Sequence, residues 1–300
     1  MRALEPAIER DAPIPTWFGV GGRAERLAMI EREDDLRRCV EIDPDLRVLG
    51  EGANLLVADE GVGELVVSMM TVPMRRFEID DETIVAMGGA SLATLVTSSV
   101  REGLAGLEGL GGIPATIGGA VMMNAGGTFG QIADVVERVH AIDRTGAEVA
   151  LDRGDIDFGY RHSGLGGLIV SRVELRLRRG DSTALRGRLK ETMAYKKTSQ
   201  PMADKSAGCV FKNPTLSRDV DGIGGAGERV SAGMVIDRAG CKGLGVGGAS
   251  VSELHANFVV SRRGSTATDA LTLIDMVEAR VLERFGIALE RELVVWRRQS

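Results

Sequence analysis

The clearest periodicity in the chain lies near its C-terminus. In "TDALTLIDMVEARVLERFG", Ala270, Ile274, Val277, Val281 and Phe285 recur at spacings of three and four, which predicts a helix with one buried face. "SLATLVTSSVREGL" (91–104) predicts another, with Ser91 as its N-cap and Gly103 ending it. "STALRGRLKETMAYKK" is helical, and "GERVSAGMVIDRAG" predicts a short helix closed by Gly240. Other apolar runs mark strands. "RVLGEGANLLVAD" reads as strand, loop, strand; "ELVVSMM" and "TIVAMGGA" are β-rich; "VVERVHAID" and "AEVALD" pair as a hairpin around "RTG". "GLIVSRVELRLRR" is a long strand with alternation at its end, and "ALERELVVW" closes the chain as a strand. "AGLEGLGGIPATIGGAVMMNAGG" (105–127) is too rich in glycine for a regular core helix and reads as loop.

These elements describe an α+β protein. The first part is strand-rich, the composition shifts near Gly180, and a boundary falls at 180–190. At 300 residues, 44% hydrophobic and 27% charged, the chain can bury a sizeable core. A formal charge of -6 argues against a nucleic-acid binder and leaves room for a local basic site. No apolar run is long enough for a bilayer, so no membrane association is expected. "MRALEPAIERDAPIP" is charged and broken by proline, unlike a signal peptide, so the expected location is the cytoplasm. Cys39, Cys209 and Cys241 form no CxxC, and His140, His162 and His255 are scattered; neither a disulfide framework nor a metal site is expected.

The 40 glycines cluster in a few loops, where a backbone can approach a ligand closely. "GIGGAG" (222–227) and "GLGVGG" (243–248) match the dinucleotide fingerprint literally, but neither follows a buried strand and opens a helix, so both read as turns. "GEGANLLVAD" and "GGIPATIGGAVMMNAGG" place small residues next to backbone donors that can cradle a pyrophosphate without lysine. Taken singly, each loop reads equally well as tight turns.

In order along the chain, "TWFGVGGRAE", "GEGANLLVAD", "GGIPATIGGAVMMNAGG", "GYRHSGL", "SAGCVFKNP", "SAGMVIDRAGCKGLGVGGASVSELHANFVV" and "LERELVVW" resemble the motifs of the UDP-N-acetylenolpyruvoylglucosamine reductases, the UDP-N-acetylmuramate dehydrogenases of bacterial peptidoglycan synthesis. The resemblance covers nearly the whole chain. It matches the shorter branch, since no tyrosine-bearing loop is inserted after residue 180. It implies an FAD cradle of the vanillyl-alcohol-oxidase (PCMH-like) type over 1–185, built from two α+β subdomains at about 1–72 and 73–185. An α+β substrate domain would follow over 186–300, its last strand (about 287–300) returning towards the active site. Noncovalent FAD would be held by Gly50, Gly52, Ala53, Asn54 and Leu55, and by Gly112, Ile113, Pro114, Ala115, Thr116, Gly118 and Gly119, with the flavin ring near Asn124 and Ala125. NADPH would be the hydride donor and UDP-N-acetylglucosamine enolpyruvate the substrate. No obligate protein partner is implied.

The same resemblance places three catalytic residues. Arg161 falls on the family's arginine, and a guanidinium suits a carboxylate because its donors form a fork and its charge is permanent. Glu292 falls on the family's glutamate, although the usual Pro-Glu-Val here reads Arg291-Glu292-Leu293 and Glu290 would share a strand face with it. Cys209 stands where most members carry serine as the proton donor. A thiol is the stronger acid, and one with pKa about 8.5 is mostly protonated at neutral pH; the alternative is a cysteine packed as a small apolar residue. Tyr160, Lys212 and Asn213 would contact substrate; His255 either joins them or is structural. Competing readings are another flavin oxidoreductase on the same cradle and a non-catalytic nucleotide-binding protein.

Overall fold

Strand Ile169–Arg176 realises the predicted alternation, with Val173 and Leu175 fully buried. In the computed structural model, which describes residues 6–298, it is the middle of a five-stranded antiparallel sheet in the order 148–152, 136–142, 169–176, 83–87 and 77–80. The expected hairpin around "RTG" is the pair 136–142 and 148–152. A second sheet has the order 8–13, 23–29, 62–68 and 47–49. Helix α1 (Glu33–Ile42) adds Leu36, Cys39 and Val40 to this sheet's core. Helix α2 (Leu92–Arg101) starts at Ser91, whose Oγ accepts from Thr94 N, and buries Leu92, Leu95 and Val96 in the core of the five-stranded sheet.

The stretch 105–127 is not loop throughout. Ile117–Met122 forms a short helix, α3, capped by Thr116, whose hydroxyl accepts from Gly119 N. Glycine is used here for closeness: Gly118 N donates to Gly88 O at 2.8 Å, and a Cβ on Gly118 would lie 3.0 Å from that oxygen. Tertiary packing therefore overrides the weak helix propensity of glycine. Helix α4 (Ser182–Ser199) is predominantly surface; Leu185 and Thr192 are its buried residues.

The chain divides into two compact units. The first runs up to Ala12 and includes Ala24–Glu51 and Gly63–Lys196; the second contains Pro13–Arg23, Gly52–Val62 and the chain from Lys197 onward. In the second unit an antiparallel sheet has the order 205–209, 258–261, 249–251 and 245–246. Helix α5 (Ala232–Arg238) is capped by Ser231. Helix α6 (Ala267–Phe285) follows the predicted face, with Ala270, Ile274, Val277 and Val281 buried and Phe285 partly so. It opens on a Thr266–Asp269 capping box and closes on Gly286 at φ 66°. "ALERELVVW" is a regular strand only at Val294–Trp296, which pairs in parallel with Leu55–Val57. The residues before it bond instead to 210–212: Lys212 N donates to Glu290 O, and Glu292 N to Val210 O, each at 2.8 Å.

Asp59 joins the segment 52–62 to helix α6. Its carboxylate accepts from Ala267 N (2.9 Å), Thr268 N (2.8 Å) and Thr268 Oγ1 (2.7 Å), at the helix end where backbone donors lack intrahelical partners. Burial would raise this carboxyl, but the bonds from Thr268 and Ala267 outweigh it and hold the pKa below its ordinary value. Asp59→Ala is expected to lower stability by about 1 kcal/mol, the usual worth of a cap. Because the folded pKa is depressed, the contribution is full above the unfolded value of about 3.9 and lost as pH falls through the folded one. Thermal melts of both proteins should therefore differ at pH 7 and converge in acid.

Candidate functional site

The candidate residues fall into two groups, one in each unit. In the first unit Gly50 and Glu51, the start of one glycine-rich loop, lie against the other. A Cβ on Gly50 would lie 2.7 Å from Thr116 Oγ1, and Ser91 and Thr116 form an antiparallel bridge. Glu51 turns its carboxyl towards Ser91, which donates to it; burial raises its pKa, and the Ser91 bond and the charge of Arg75 oppose that rise. Residues 50–55 and 111–119 contain no Lys or Arg, so what these loops themselves offer an anion is backbone N–H groups. Three N–H groups at the start of α3 are already used, by Ala90 O, Gly88 O and Thr116 Oγ1. Ile113 and Ala115 pack on the apolar core beneath. Apart from Glu51 these two loops carry no charged side chain, and their glycines leave room for the backbone to approach an anion such as the pyrophosphate of a dinucleotide cofactor.

Asn124 holds the next part of this group together. It is buried with φ 43°; its Nδ2 donates to Gly159 O (2.8 Å) and Gln131 Oε1 (3.1 Å), and its Oδ1 accepts from Ala133 N (3.3 Å). Ala125 continues the anchoring, donating to Ala120 O and accepting from Ile132 N. Gly159 and His162 close a tight turn by reciprocal bonds of 2.9 and 3.2 Å, with Tyr160 and Arg161 at its tip. Arg161 has φ 54°, a left-handed conformation that costs a side-chain-bearing residue about 1–2 kcal/mol. Its guanidinium lies 5.1 Å from the Tyr160 ring centroid.

In the second unit, strand Lys205–Cys209 breaks register between Ser206 and Cys209. Gly208 sits in that bulge at φ 73° with open space around a would-be Cβ, so backbone conformation and not crowding demands glycine there. Bulges re-aim the side chains beside them, and Cys209, half-buried, is at its end. Val210 O accepts from Glu292 N (2.8 Å) and Leu293 N (3.2 Å), which sets the glutamate beside the cysteine segment. Asn54 Nδ2 donates to Glu292 O at 3.0 Å. Gly52 has φ 65°, and a Cβ there would strike the Pro15 carbonyl. Leu55 is buried at the start of the strand that follows Ala53 and Asn54.

Family models match residues 26–152 as an FAD binding domain and residues 200–296 as a UDP-N-acetylenolpyruvoylglucosamine reductase C-terminal domain. The UDP-N-acetylenolpyruvoylglucosamine reductase of Heliobacterium modesticaldum is 43% identical over 286 residues, covering 93% of this chain and 87% of that one. The enzyme of the same name from Moorella thermoacetica is 39% identical, covering 94% and 90%. The crystal structure of the reductase from Thermus caldophilus matches with a TM-score of 0.80 at 40% identity, covering 97% of this chain and 99% of that one.

The chain belongs to the UDP-N-acetylenolpyruvoylglucosamine reductase family.

Several side chains of this reductase-family chain already have partners within its second unit. Lys212 Nζ pairs with Glu290 Oε1 at 2.6 Å, and the Glu290 side chain is largely exposed. Asn213 Oδ1 accepts from Ala232 N at the start of α5. His255 Nδ1 accepts from Asn257 N (3.2 Å), and its ring meets Phe258 edge-on at 5.0 Å. Burial holds its pKa below the ordinary value, which keeps the imidazole neutral at pH 7.

Two residues emerge that sequence patterns do not mark. Asn257 is buried and clasps Phe211 from both sides: Oδ1 accepts from Phe211 N (2.9 Å) and Nδ2 donates to Phe211 O (2.8 Å). Its own carbonyl accepts from Val210 N, fixing the segment after Cys209. An asparagine inside the apolar run "ANFVV" was the available signal, since a buried amide needs such partners. Lys196, on α4 of the first unit, donates to Gly111 O at 2.7 Å. Burial, and then the charge of Arg161, push its pKa down to about 8.

The left-handed turn yields a test. Arg161→Gly should fold more stably than Arg161→Ala by roughly 0.5–1 kcal/mol, because relief of the left-handed strain exceeds the entropic cost of glycine. Paired chemical denaturation curves check this; equal midpoints would mean that the turn relaxes at no cost.

Proposed function

We propose that this chain reduces UDP-N-acetylglucosamine enolpyruvate to UDP-N-acetylmuramate, with noncovalent FAD as cofactor and NADPH as hydride donor, in peptidoglycan precursor synthesis. Family membership over more than nine-tenths of the chain supports the activity. The observation that supports the site is the bond from Glu292 N to Val210 O, which ties the segment bearing Glu292 to the residue after Cys209. We assign the reaction to the cytoplasm; the reading calls for no nucleic acid, membrane or obligate protein partner.

Loops 50–55 and 111–119 would hold the pyrophosphate through backbone N–H groups, with Asn124 and Ala125 shaping the wall near the ring. Bound FAD, reduced by NADPH, supplies a hydride to C3 of the enol ether. Charge then develops at C2 and on the adjacent carboxylate, and Arg161 offers a permanent cation and forked donors to it. Its strained backbone fits a functional constraint, since such conformations cluster at functional sites. Cys209 gives its proton to C2, forming the new C–H bond and leaving a thiolate that solvent reprotonates. Glu292, when protonated, donates a hydrogen bond to the enolate oxygen. Glu290 suits this role less, because Lys212 holds its carboxylate in a largely exposed ion pair. Tyr160, Lys212, Asn213 and His255 complete the substrate side, the last three also bracing the second unit.

The purified protein should be yellow, release FAD on denaturation, and sustain NADPH oxidation beyond one equivalent per flavin only when the enolpyruvyl substrate is present. Arg161→Ala and Glu292→Gln should slow flavin reoxidation by substrate far more than flavin reduction by NADPH. Stopped-flow traces separate the two half-reactions; equal impairment of both would sink these assignments. Glu290→Gln should be nearly silent.

Cys209→Ser should retain activity, while Cys209→Ala should lose roughly 10²–10⁴-fold, the worth of a positioned acid. The loss belongs to the half-reaction with substrate, and substrate should protect wild-type protein from thiol alkylation. A Cys209→Ala variant turning over at the wild-type rate would reduce Cys209 to packing.

A further inference from the structure

Helix α4 presents one face to the bend that leads into loop 111–119. A Cβ on Gly111 would strike Leu189, and one on Gly112 would lie 2.9 Å from Met193 Sδ and 3.2 Å from Lys196 Cδ. Leu189, Met193 and Lys196 are spaced four and three apart, so they lie along one side of the helix. Lys196 finishes the contact: its stem lies along the bend and its Nζ donates to Gly111 O. Among the described residues no carboxylate lies within ion-pair distance of this ammonium, so a carbonyl is its anchor. A half-buried lysine spent on a carbonyl fixes backbone more than it adds stability, because holding the charge out of water is costly.

We propose that Lys196 is a positioning residue for FAD: its ammonium latches the 111–112 bend to α4 and holds the following loop in the shape that receives the cofactor. The latch rests on the assignment of that loop to FAD and acts through the bend, not by touching the flavin. The charged group that acts on it is Arg161 on the 159–162 turn, where His162 is the next residue; Glu108 lies on the turn 108–110 before the bend, and Arg188 and Lys197 share α4 with it. Glu108 is engaged by Arg188 (3.4 Å) and Gly106 N (2.6 Å), and His162 by Asp157 (3.6 Å). Burial, and after it the charge of Arg161, lowers the lysine's hold on its proton, so the latch weakens as pH rises through about 8. A neutral amine still reaches Gly111 O, but without charge assistance.

The test uses full-length holoenzyme and reads the FAD dissociation constant from the fluorescence of flavin released on dilution, between pH 6.5 and 9.5. For wild type, affinity should fall as pH passes about 8. Lys196→Met should bind FAD about tenfold more weakly at pH 6.5, the loss expected for one charged hydrogen bond, and should lack the step near 8. Lys196→Arg should keep near-wild-type affinity at pH 6.5, also without the step, since arginine does not titrate there. The arginine variant retains charge and length, so it separates the latch from a folding defect in the methionine variant. Wild-type-like FAD affinity and pH profile in Lys196→Met would overturn the latch alone. A wild-type protein that binds no FAD would overturn the latch together with the functional reading beneath it.

Discussion

Much of the second unit depends on one non-local pairing. Leu55–Val57 and Val294–Trp296 form a two-strand parallel ladder, and Asn54 Nδ2 extends it by binding Glu292 O across 238 positions of sequence. Parallel pairing cannot arise from a tight turn, and its loop-closure entropy precedes any gain. The pairing links a glycine-rich loop to the strand that follows the candidate carboxylate. Shifting the ladder by one residue would turn every side chain on it over. Asp59 anchors the same short segment to helix α6, so 52–62 is held at both ends.

Around the candidate residues the chain spends polar groups on backbone geometry. Asn124 ties together three separate stretches, Asn257 clasps Phe211, and Asn213 serves α5. An amide buried in this way is expensive to remove, because each partner would be left unsatisfied. The effect is to fix the turn bearing Arg161, where the backbone is locally unfavourable, and the segment that follows Cys209. Local strain persists where the surroundings over-determine it.

The helices with a strong local signature were legible: α2 through its serine cap, α5 through its closing Gly240, α6 through periodicity. Helix α1 was not, since its ten residues are dominated by charge and few are apolar. Helix α3 was hidden because glycine lowers local propensity, while its packing on Gly88 is visible only in three dimensions. The last strand is shorter than "ALERELVVW" implies because residues 290–293 bond to 210–212 as irregular backbone. Motif order was enough to nominate Arg161, Cys209 and Glu292. Lys196 escaped because its partner is a carbonyl 85 positions away, and no spacing rule registers such a bond. Nor does composition mark 13–23 and 52–62 as parts of the second unit.

The three-part make-up of that unit bears on how the molecule is born. Synthesis runs from the N-terminus, and the first unit has its last residue at Lys196. The partner strand of Leu55–Val57 is made about a hundred residues later, an interval of roughly 5–20 s at ribosomal speed. Through that interval an apolar segment that ends buried lacks the partner strand of its ladder. The nascent chain thus carries an unclosed seam at Leu55–Val57 until Val294–Trp296 has emerged. Vectorial synthesis makes the early, short strand a point of exposure to chaperones and to misassociation, although the finished protein conceals it completely.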